Sequence, residues 1–567
     1  MMIFIFVFIA FFVFSCGAAP ENSENVPIEN GDTYELPDEE AEECGEKSVS
    51  YQKPKLPERP DAAKIKRYGR NSECLPLPEV EDGKLILGEG CFSGCIKAEK
   101  RLMISGNGPE NTMIVCNDEE AQGVIEVLAN AEVNVENISL SGIARCIFAG
   151  NGSMTSVKNS VLSHCTKGGI NICPDEADCR ADLTVRDSFI GDIDEAASGI
   201  SYGISFGNGD LSVFGSEIGG VNSFGIAVWG ETGNVNRINI ENSAISGVYG
   251  GLRSYEGHGF YAENSAEITI KNTSISDTAA SFVFVSSESD EINLKLIDLT
   301  AENMLETSEE QGGIVLDGNV KGCFERVLIE NSRGNGVFSR GAVLYGEDLT
   351  VRSVFSDGLG ENGFALQLVD GSESFIKRLS VDSAEKAGIL LDGRCSADIE
   401  DLEILSTRSD RYTGEFGVGA AIQNGACVTL KNAMLSDNRE SGVLVVSAEI
   451  SLENVEIKNT LPRKCSETGE CVFAPMTDFG HGISLYSSSV LRFDSMTLLN
   501  NNNGLNIAAS DIMSFGSKKI SFKHNATAVN AWNISDLGIL EKTLSDSSFC
   551  GNGSVFTSET QPVREGL

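Results

Sequence analysis

The chain has 567 residues, of which 83 are Asp or Glu and 43 are Lys or Arg, so its formal charge at pH 7 is -40 and its pI is near 4.4. A body this acidic excludes nucleic acid and anionic membrane surfaces as partners bound through its own electrostatics. We therefore expect membrane contact through an N-terminal lipid only.

Residues 1–15 are almost wholly apolar and too short to span a bilayer comfortably, which predicts a signal peptide. The segment Val13-Phe14-Ser15-Cys16 resembles a bacterial lipobox, in which the cysteine becomes the acylated first residue of the mature chain. A plain signal peptide is the alternative, since no Lys or Arg precedes Lys47 and Phe14 is bulky for its place. We expect an exported outer-membrane lipoprotein, on the periplasmic or cell-surface side, anchored at Cys16.

The next segment, residues 16–73, is rich in Glu, Asp, Pro and Asn and poor in apolar residues. A segment of this composition cannot bury enough apolar surface to fold, and its like charges repel one another. It is predicted to be an acidic, disordered tether between the anchor and a folded domain.

A glycine followed by an apolar residue that opens an alternating strand recurs along the rest of the chain. The shortest intervals, such as 203 to 225, are 22 residues, and the long interval from 259 to 313 contains Phe282-Val283-Phe284-Val285, a unit without the glycine. The pattern is a repeat of about 22 residues with loop insertions. Its glycines are Gly169, Gly203, Gly225, Gly259, Gly313, Gly336, Gly363, Gly388, Gly419, Gly442, Gly482 and Gly504.

A second phrase lies between the glycines, as in residues 133–140, 183–190 and 238–245. Apolar residues alternate there, which predicts a strand with one face inward. An Asn or Asp then breaks the alternation, and its side chain is suited to hydrogen-bonding local backbone at a turn. Each unit therefore reads as strand, Asn-centred bend, short strand, loop and glycine-led strand.

Units this short cannot bury a face alone, so successive units must stack in parallel ladders around a shared interior. We predict an all-β fold: a single-stranded right-handed parallel β-helix (solenoid) of about fifteen coils over residues 74–550, with a C-terminal tail at 551–567. A β-propeller is disfavoured because each blade needs about 40 residues.

The repeats resemble those of the right-handed parallel β-helix, pectin-lyase-like superfamily. Residues 85–92, 102–108 and 112–114 are similar to the first coils of many members. The resemblance implies the fold and leaves the activity open, because the superfamily includes lyases, hydrolases, esterases, epimerases, adhesins and proteins with no known chemistry.

Sixteen cysteines suit an oxidising compartment. Two pairs close short polar insertions with the same spacing, which predicts disulfides Cys173–Cys179 and Cys465–Cys471. Two further pairs lie about one coil apart, Cys146 with Cys165 and Cys395 with Cys427, and are candidates to pair along the stack. Zinc is the rival interpretation, but no tight Cys/His quartet occurs.

Catalytic motifs are incomplete. Gly257-His258-Gly259 and Gly480-His481-Gly482 are similar to the Gly-His-Gly of polygalacturonase-type hydrolases, but the acidic and basic segments that accompany it in that family do not occur. Because many residue types precede the repeat glycine, His258 and His481 are interpreted as repeat variation. Lyase chemistry would need a calcium site of several carboxylates and an arginine that acts as base. Asp192, Asp194 and Glu195 form an acidic cluster, and Arg253 lies two coils later, but the spacing does not place them on one strand. A calcium ion bound there is expected to have a structural rather than a catalytic role.

Polar-tipped aromatic residues concentrate in neighbouring coils of a chain with two Trp and ten Tyr. Aromatic rings that stack on sugars, beside charged groups that bond hydroxyls, are typical of a carbohydrate groove. The alternative is that these rings pack within the coils. The candidate ligand-binding residues are Trp229, Glu231, Arg253, Tyr255, His258 and Tyr261.

The sequence thus predicts an exported, lipid-anchored, non-catalytic parallel β-helix that serves surface display, adhesion or binding of a polysaccharide or cell-surface glycan. The first alternative is a polysaccharide lyase or glycoside hydrolase of the same fold. The second is a structural spacer.

Overall fold

The repeated apolar segments form short strands in the computed structural model, which describes residues 74–173, 179–193, 201–230, 236–250, 256–264, 266–305, 312–357, 360–462, 479–508, 511–514, 519–534, 540 and 542–558. Within these ranges, no helix is long and apolar enough to cross a membrane. The signal peptide, the tether and the last nine residues lie outside them, as do Cys16, Glu231, Arg253, Tyr255, Cys465 and Cys471.

The strands of the first half are β1 Leu75–Pro76, β2 Lys84–Ile86, β3 Gly90–Ser93, β4 Ile96–Ala98, β5 Leu102–Ser105, β6 Thr112–Cys116, β7 Gly123–Val127, β8 Glu132–Glu136, β9 Ser139–Gly142, β10 Arg145–Ala149, β11 Met154–Lys158, β12 Val161–Cys165, β13 Ile170–Ile172, β14 Asp182–Arg186, β15 Phe189–Gly191, β16 Ser201–Phe206, β17 Asp210–Phe214, β18 Glu217–Trp229, β19 Asn236–Glu241, β20 Ala244–Tyr249, β21 His258–Glu263 and β22 Ala266–Thr278.

Those of the second half are β23 Val283–Glu302, β24 Gly312–Glu330, β25 Asn335–Arg340, β26 Val343–Arg352, β27 Phe364–Val369, β28 Glu373–Asp382, β29 Ala387–Asp392, β30 Ser396–Leu405, β31 Val418–Gln423, β32 Cys427–Ser436, β33 Ser441–Val446, β34 Glu449–Lys458, β35 His481–Tyr486, β36 Val490–Phe493, β37 Met496–Leu499, β38 Asn503–Ala508, β39 Asp511–Ser514, β40 Ile520–Lys523, β41 Thr527–Trp532, β42 Ser548–Cys550 and β43 Ser554–Thr557.

The strands stack as three parallel ladders. The first ladder begins at β2 and ends at β39, the second begins at β1 and ends at β42, and long strands such as β28 and β30 cross the bend and belong to both. The third, called here the glycine ladder, consists of β4, β7, β10, β13, β16, β18, β21, β23, β24, β25, β27, β29, β31, β33, β35, β38, β41 and β43. The fold is therefore a parallel β-helix, and its last strand lies beyond residue 550.

One continuous apolar cluster fills the interior. In the glycine ladder, Ile226, Phe260 and Val283 are register partners in successive coils, and all three are fully buried. Burial on this scale is the main favourable term in the folding of a solenoid, because each coil covers the apolar face of its neighbour.

The bend between the first two ladders is built as the sequence indicates. Asn137 and Asn159 both have left-handed backbone conformations, with φ of 58° and 43°, and the Asn159 side-chain amide donates to Asn137 Oδ1 over 2.7 Å. Asn tolerates this conformation better than most residues because its short side chain bonds locally. Further along, Asp348 and Arg378 continue the bend as an ion pair, with Nε donating to Oδ1 over 2.5 Å.

The repeat glycines are required for space. A Cβ added at Gly203 would lie 2.5 Å from the carbonyl O of Gly225, one coil on, and a Cβ at Gly482 would lie 2.5 Å from that of Gly504. Neither residue has a left-handed φ. The glycine phrase thus marks where consecutive coils approach most closely.

One glycine of the predicted series is out of register. Gly363 has φ of 106° and lies in the loop before β27, whereas Leu366 pairs with Ile389, so that Ala365 occupies the repeat position beside Gly388. The insertion that precedes β27 moved the phrase by two residues, a shift that spacing alone does not reveal. In the unit that lacks the glycine, Phe282 takes the position, because Phe260 pairs with Val283.

Disulfides join the early coils. The predicted bonds Cys173–Cys179 and Cys146–Cys165 are present, together with two that the sequence reasoning missed, Cys74–Cys91 and Cys95–Cys116. Cys323 is also disulfide-bonded.

The expected pairing of Cys395 with Cys427 is wrong. Cys395 is buried and its thiol donates to the carbonyl O of Leu368 over 3.4 Å, whereas Cys427 is exposed at the start of β32. Cys395 precedes β30, and the register partner of Cys427 is Ser396, so the two thiols are one residue out of register. Burial raises the pKa of the Cys395 thiol to about 11.

Candidate functional site

An aromatic group lies on the outer face of the glycine ladder. Because strand residues alternate between faces, and Ile226 and Phe260 point inward, their neighbours Ala227 and Tyr261 point outward. Tyr261 is paired in register with Phe284 of the next coil. This group is separate from the interior cluster, although Phe224, His258 and Tyr261 are themselves buried, and we call it the outer aromatic group. Its rings are Tyr202, Phe224, Trp229, His258, Tyr261 and Phe284.

The rings contact one another closely. Trp229 lies 5.0 Å from Tyr261 between ring centroids and meets Phe224 edge to face at 5.7 Å. Tyr261 and Phe284 stack at 5.2 Å with an interplanar angle of 11°. Contacts of this kind add about 0.5–1.5 kcal/mol per pair beyond area burial. The group is a preformed platform in which Trp229, Phe284 and Tyr202 remain half-buried.

His258 belongs to the packed part of this platform. It is only 1% exposed, its Nδ1 accepts the backbone N–H of Ser281 over 3.3 Å, and its ring stacks on Phe224 at 5.8 Å. His481 is equally buried, with Nδ1 3.1 Å from Asn503 Nδ2. Both histidines contact neighbouring rungs, and their role as repeat variation stays an interpretation.

A carboxylate borders the platform. Glu263 is the register partner of Trp229, and its Oε1 accepts the hydroxyl of Tyr261. Ser286 and then Asp317 follow in the same outward row. The row therefore presents one indole, one hydroxyl and two carboxylates on consecutive coils, which are about 4.8 Å apart.

The sequence-predicted residues are brought together in part. Trp229, His258 and Tyr261 share the platform, while Glu231, Arg253 and Tyr255 lie outside the described residues. Sequence reasoning missed four members of the neighbourhood: Tyr202, Phe224, Glu263 and Phe284. Tyr202 and Phe224 each precede a repeat glycine, as His258 does, so the register of the repeat could have identified them.

A buried polar corner lies elsewhere, between β28 and β31. Lys386 Nζ donates to the carbonyl O of Gly360 over 2.5 Å, and burial lowers the pKa of the lysine, opposed by the charges of Asp410 and Asp357. The adjacent Glu385 accepts the N–H of Ser356 over 2.9 Å. Lys386 and Glu385 therefore attach the loop that contains Ser356 and Gly360 to the coil stack, which gives both charged side chains a structural role.

A shallow groove of about 570 Å³ lies on the first ladder in the early coils. It has Lys84, Arg101, Asn134 and Lys158 in its lining and no aromatic ring. Arg101 is already paired with Glu132 at 3.4 Å. The groove lacks the stacking surface that distinguishes the outer aromatic group.

The predicted calcium cluster is only partly visible. Asp194, Glu195 and Arg253 lie outside the described residues, and Asp192 alone is placed. Within the part of the chain that the structure describes, no group of three or more His, Cys, Asp or Glu is arranged to hold a metal ion. A calcium ion stays a prediction.

Comparison with known proteins agrees with the fold. Residues 283–461 match the family model described as right handed beta helix region, and the chain is a right-handed parallel β-helix. No curated protein sequence matches it.

Similar solved structures include the tailspike protein gp49 from Pseudomonas phage LKA1, with 11% identity, 80% of this chain and 74% of that chain covered, and a TM-score of 0.30. The Agl-KA catalytic domain has 13% identity and a TM-score of 0.25, with 66% of this chain and 59% of that chain covered. The catalytic unit of the GH87 alpha-1,3-glucanase from Streptomyces thermodiastaticus strain HF3-3 has 11% identity, 85% and 66% coverage and a TM-score of 0.20. The chain thus spans less than two thirds of the length of the two catalytic units. At these identities and scores, the similarity carries no information on activity.

Proposed function

We propose that this protein is an exported, lipid-anchored β-helix that binds a glycan, without catalysis, on the outer face of its glycine ladder. The observation that supports this most is the outer aromatic group, a set of rings outside the core with a half-buried tryptophan beside a carboxylate. The proposed anchor, Cys16, and a tether over residues 16–73 would hold this face away from the membrane.

The physical argument rests on the chemistry of sugars. A pyranose ring has an apolar C–H face that stacks on an indole or phenol, and its hydroxyls donate to carboxylates. Trp229 supplies the stacking surface, and Glu263 lies beside it in register. Because the chain has a formal charge of -40, a neutral glycan meets less repulsion than an acidic one.

The test is calorimetric titration of the full chain with a panel of neutral and acidic oligosaccharides. We expect Trp229→Ala to weaken binding of the preferred oligosaccharide at least ten-fold, about 1.4 kcal/mol. Trp532→Ala is the matched control, since Trp532 is the other tryptophan and also lies half-buried on an outer face of the glycine ladder. Equal affinities of the two variants, or no binding by the unmodified chain across the panel, would contradict the proposal.

A glycoside hydrolase is the second candidate. Glu263 and Asp317 lie two coils apart in one outward row, about 10 Å between their strands, near the separation of up to about 9.5 Å that inverting enzymes use. Asp317, however, is held by Arg340, whose Nε donates to Oδ1 over 2.7 Å. Reducing-end assays on the same panel separate the candidates: turnover that disappears in both Glu263→Gln and Asp317→Asn would replace the binding proposal with catalysis.

The anchor is tested separately, by mass spectrometry of the mature N-terminus. A diacylglycerol-modified Cys16 is the expected result. An unacylated terminus at another residue would refute the anchor and leave the binding face untouched.

A further inference from the structure

The last coil that the structure describes has exposed residues in its inner rows. Phe549 continues the inner row of Phe522, with ring centroids 5.0 Å apart, and Phe556 continues that of Val529. Phe522 and Val529 are buried, but Phe549 and Phe556 are 39% and 42% exposed. Two phenylalanine rings therefore end the core as an exposed apolar surface.

At the N-terminal end of the stack, the last residue of an inner row is exposed too, since Leu75, the register partner of Phe92, is 60% exposed. The inner residues Leu85 and Phe92 of the first coil are buried, and Leu77 packs against them as part of the interior cluster. The disulfide Cys74–Cys91 fastens β1 over this end. Solenoid ends need a cap to stay soluble. β1 and Leu77 cover part of the N-terminal end, whereas the inner-row residues of the last two described strands are exposed phenylalanines.

The last coil also has open strand edges. β42 pairs with β40 and β43 pairs with β41, and no other described strand pairs with either. Such edges offer unpaired backbone groups to another chain.

The residue in the glycine row disfavours another coil stacked in the same register. Val555 is the register equivalent of Gly504 and Ala528 in the two preceding coils. Space at this position is limited, because a Cβ on Gly504 would lie 2.7 Å from the carbonyl O of Ala528 in the following coil. Val555 is 52% exposed, so its branched side chain lies where the backbone of a following coil would pass. Head-to-tail stacking of copies would meet this obstruction, whereas two C-terminal ends facing each other need not repeat the register.

Charge distinguishes this end from the rest of the chain. From residue 518 to residue 567, five Lys or Arg residues balance five Asp or Glu residues, so this part of the sequence has no formal net charge. The whole chain has 83 acidic residues against 43 basic ones. Two copies repel each other over most of their surfaces, and this repulsion is weakest between their C-terminal coils.

We propose that β42 and β43 form the contact surface for a second copy of this chain, in a twofold-symmetric dimer joined at the C-terminal coils. A twofold axis places the same patch on both sides, so that Phe549, Val555 and Phe556 of each copy bury one another. The dimer buries the exposed apolar residues of the last described coil in both copies. It presents two outer aromatic groups but does not depend on their ligand.

The first test is sedimentation velocity of the purified full chain over a concentration series. A monomer–dimer equilibrium is expected, and Val555→Glu should raise its dissociation constant at least ten-fold, because two carboxylates then meet at the axis. Ile86→Glu, at a 73% exposed position near the other end, is the matched control and should leave the equilibrium unchanged. A monomer at all concentrations, polymers larger than a dimer, or an unchanged dimer in Val555→Glu would overturn the proposal.

The second test needs no variant. Cys550 in β42 and Cys427 in β32 are both exposed free thiols. Maleimide labelling of Cys550 should slow as protein concentration rises, whereas that of Cys427 should not, with both sites followed by peptide mass spectrometry. Equal labelling rates at all concentrations would contradict a contact at the C-terminal coil.

Discussion

Gly388→Ala tests the explanation of the repeat. An added Cβ would lie 2.6 Å from the carbonyl O of Gly419 and 2.6 Å from Cγ2 of Ile404. Ile404 is fully buried, and its β-branched side chain has little freedom to move away. Overpacking of this kind costs about 1–3 kcal/mol. Alanine normally gains about 0.4–1 kcal/mol over glycine by restricting the unfolded chain, so the midpoints of the two ranges give an observed loss of about 1.3 kcal/mol.

The assay is urea unfolding followed by circular dichroism, with hydrogen exchange of peptides from residues 387–423 as a local measure. A loss of 1.4 kcal/mol corresponds to about ten-fold faster exchange at amides that exchange through a rapidly reversible opening. Gly88→Ala is the matched control, because Gly88 has no left-handed φ and a Cβ there meets nothing within 4 Å. The close-approach explanation fails if Gly388→Ala is as stable as the unmodified chain, or if Gly88→Ala loses as much.

Two further predictions concern the bend. Asn432 has φ of 51°, and its side chain forms hydrogen bonds with Asp401 and Asn454 in the two neighbouring coils. Asn432→Ala should therefore lower the free energy of unfolding in urea by about 1–3 kcal/mol, and Asn432→Gly should lower it less. The reverse order would exclude the left-handed conformation as the cause. Arg378 lowers the pKa of Asp348 through their hydrogen bond, so the pair stabilises the fold above the ordinary pKa of an aspartate and the effect is lost as pH falls through the folded-state value. Because both side chains are substantially exposed, Arg378→Ala should cost about 0.2–1 kcal/mol at pH 7 and less at pH 2; an equal loss at both pH values would refute the ionic origin.

The fold could be predicted because the residue types at two positions of each coil, the repeat glycine and the Asn or Asp of the bend, are restricted by the structure. A Cβ at most repeat glycines meets the next coil, and Asn or Asp suits the left-handed bend, so both leave a regular mark in the sequence. Prediction failed where a loop changed length. Gly363 follows an insertion and has the glycine phrase by coincidence, while Ala365 holds the structural position. Only the pairing of Leu366 with Ile389 reveals the shift.

The site was predictable in part for the same reason. Trp229 and Tyr261 stood out because such residues are rare in this chain, but Phe284 is in a unit without the glycine and reads as one residue of an apolar run. Its outward direction follows from the pairing of Phe260 with Val283, which spacing does not supply. Cys395 and Cys427 failed similarly, because a spacing of about one coil does not reveal that the two cysteines are one residue out of register.

The outward-facing side chains of the coils can change without disturbing the packing of the interior. In the glycine ladder they are of two kinds. Around β18 and β21 the outward side chains are aromatic and accompanied by Glu263. From β29 to β33 the same row is aliphatic, with Leu390, Ala421 and Leu444. Aliphatic side chains offer a sugar neither a ring to stack on nor a group to hydrogen-bond. A glycan is therefore expected to bind at the coils of Trp229 and Tyr261 and not along the whole ladder.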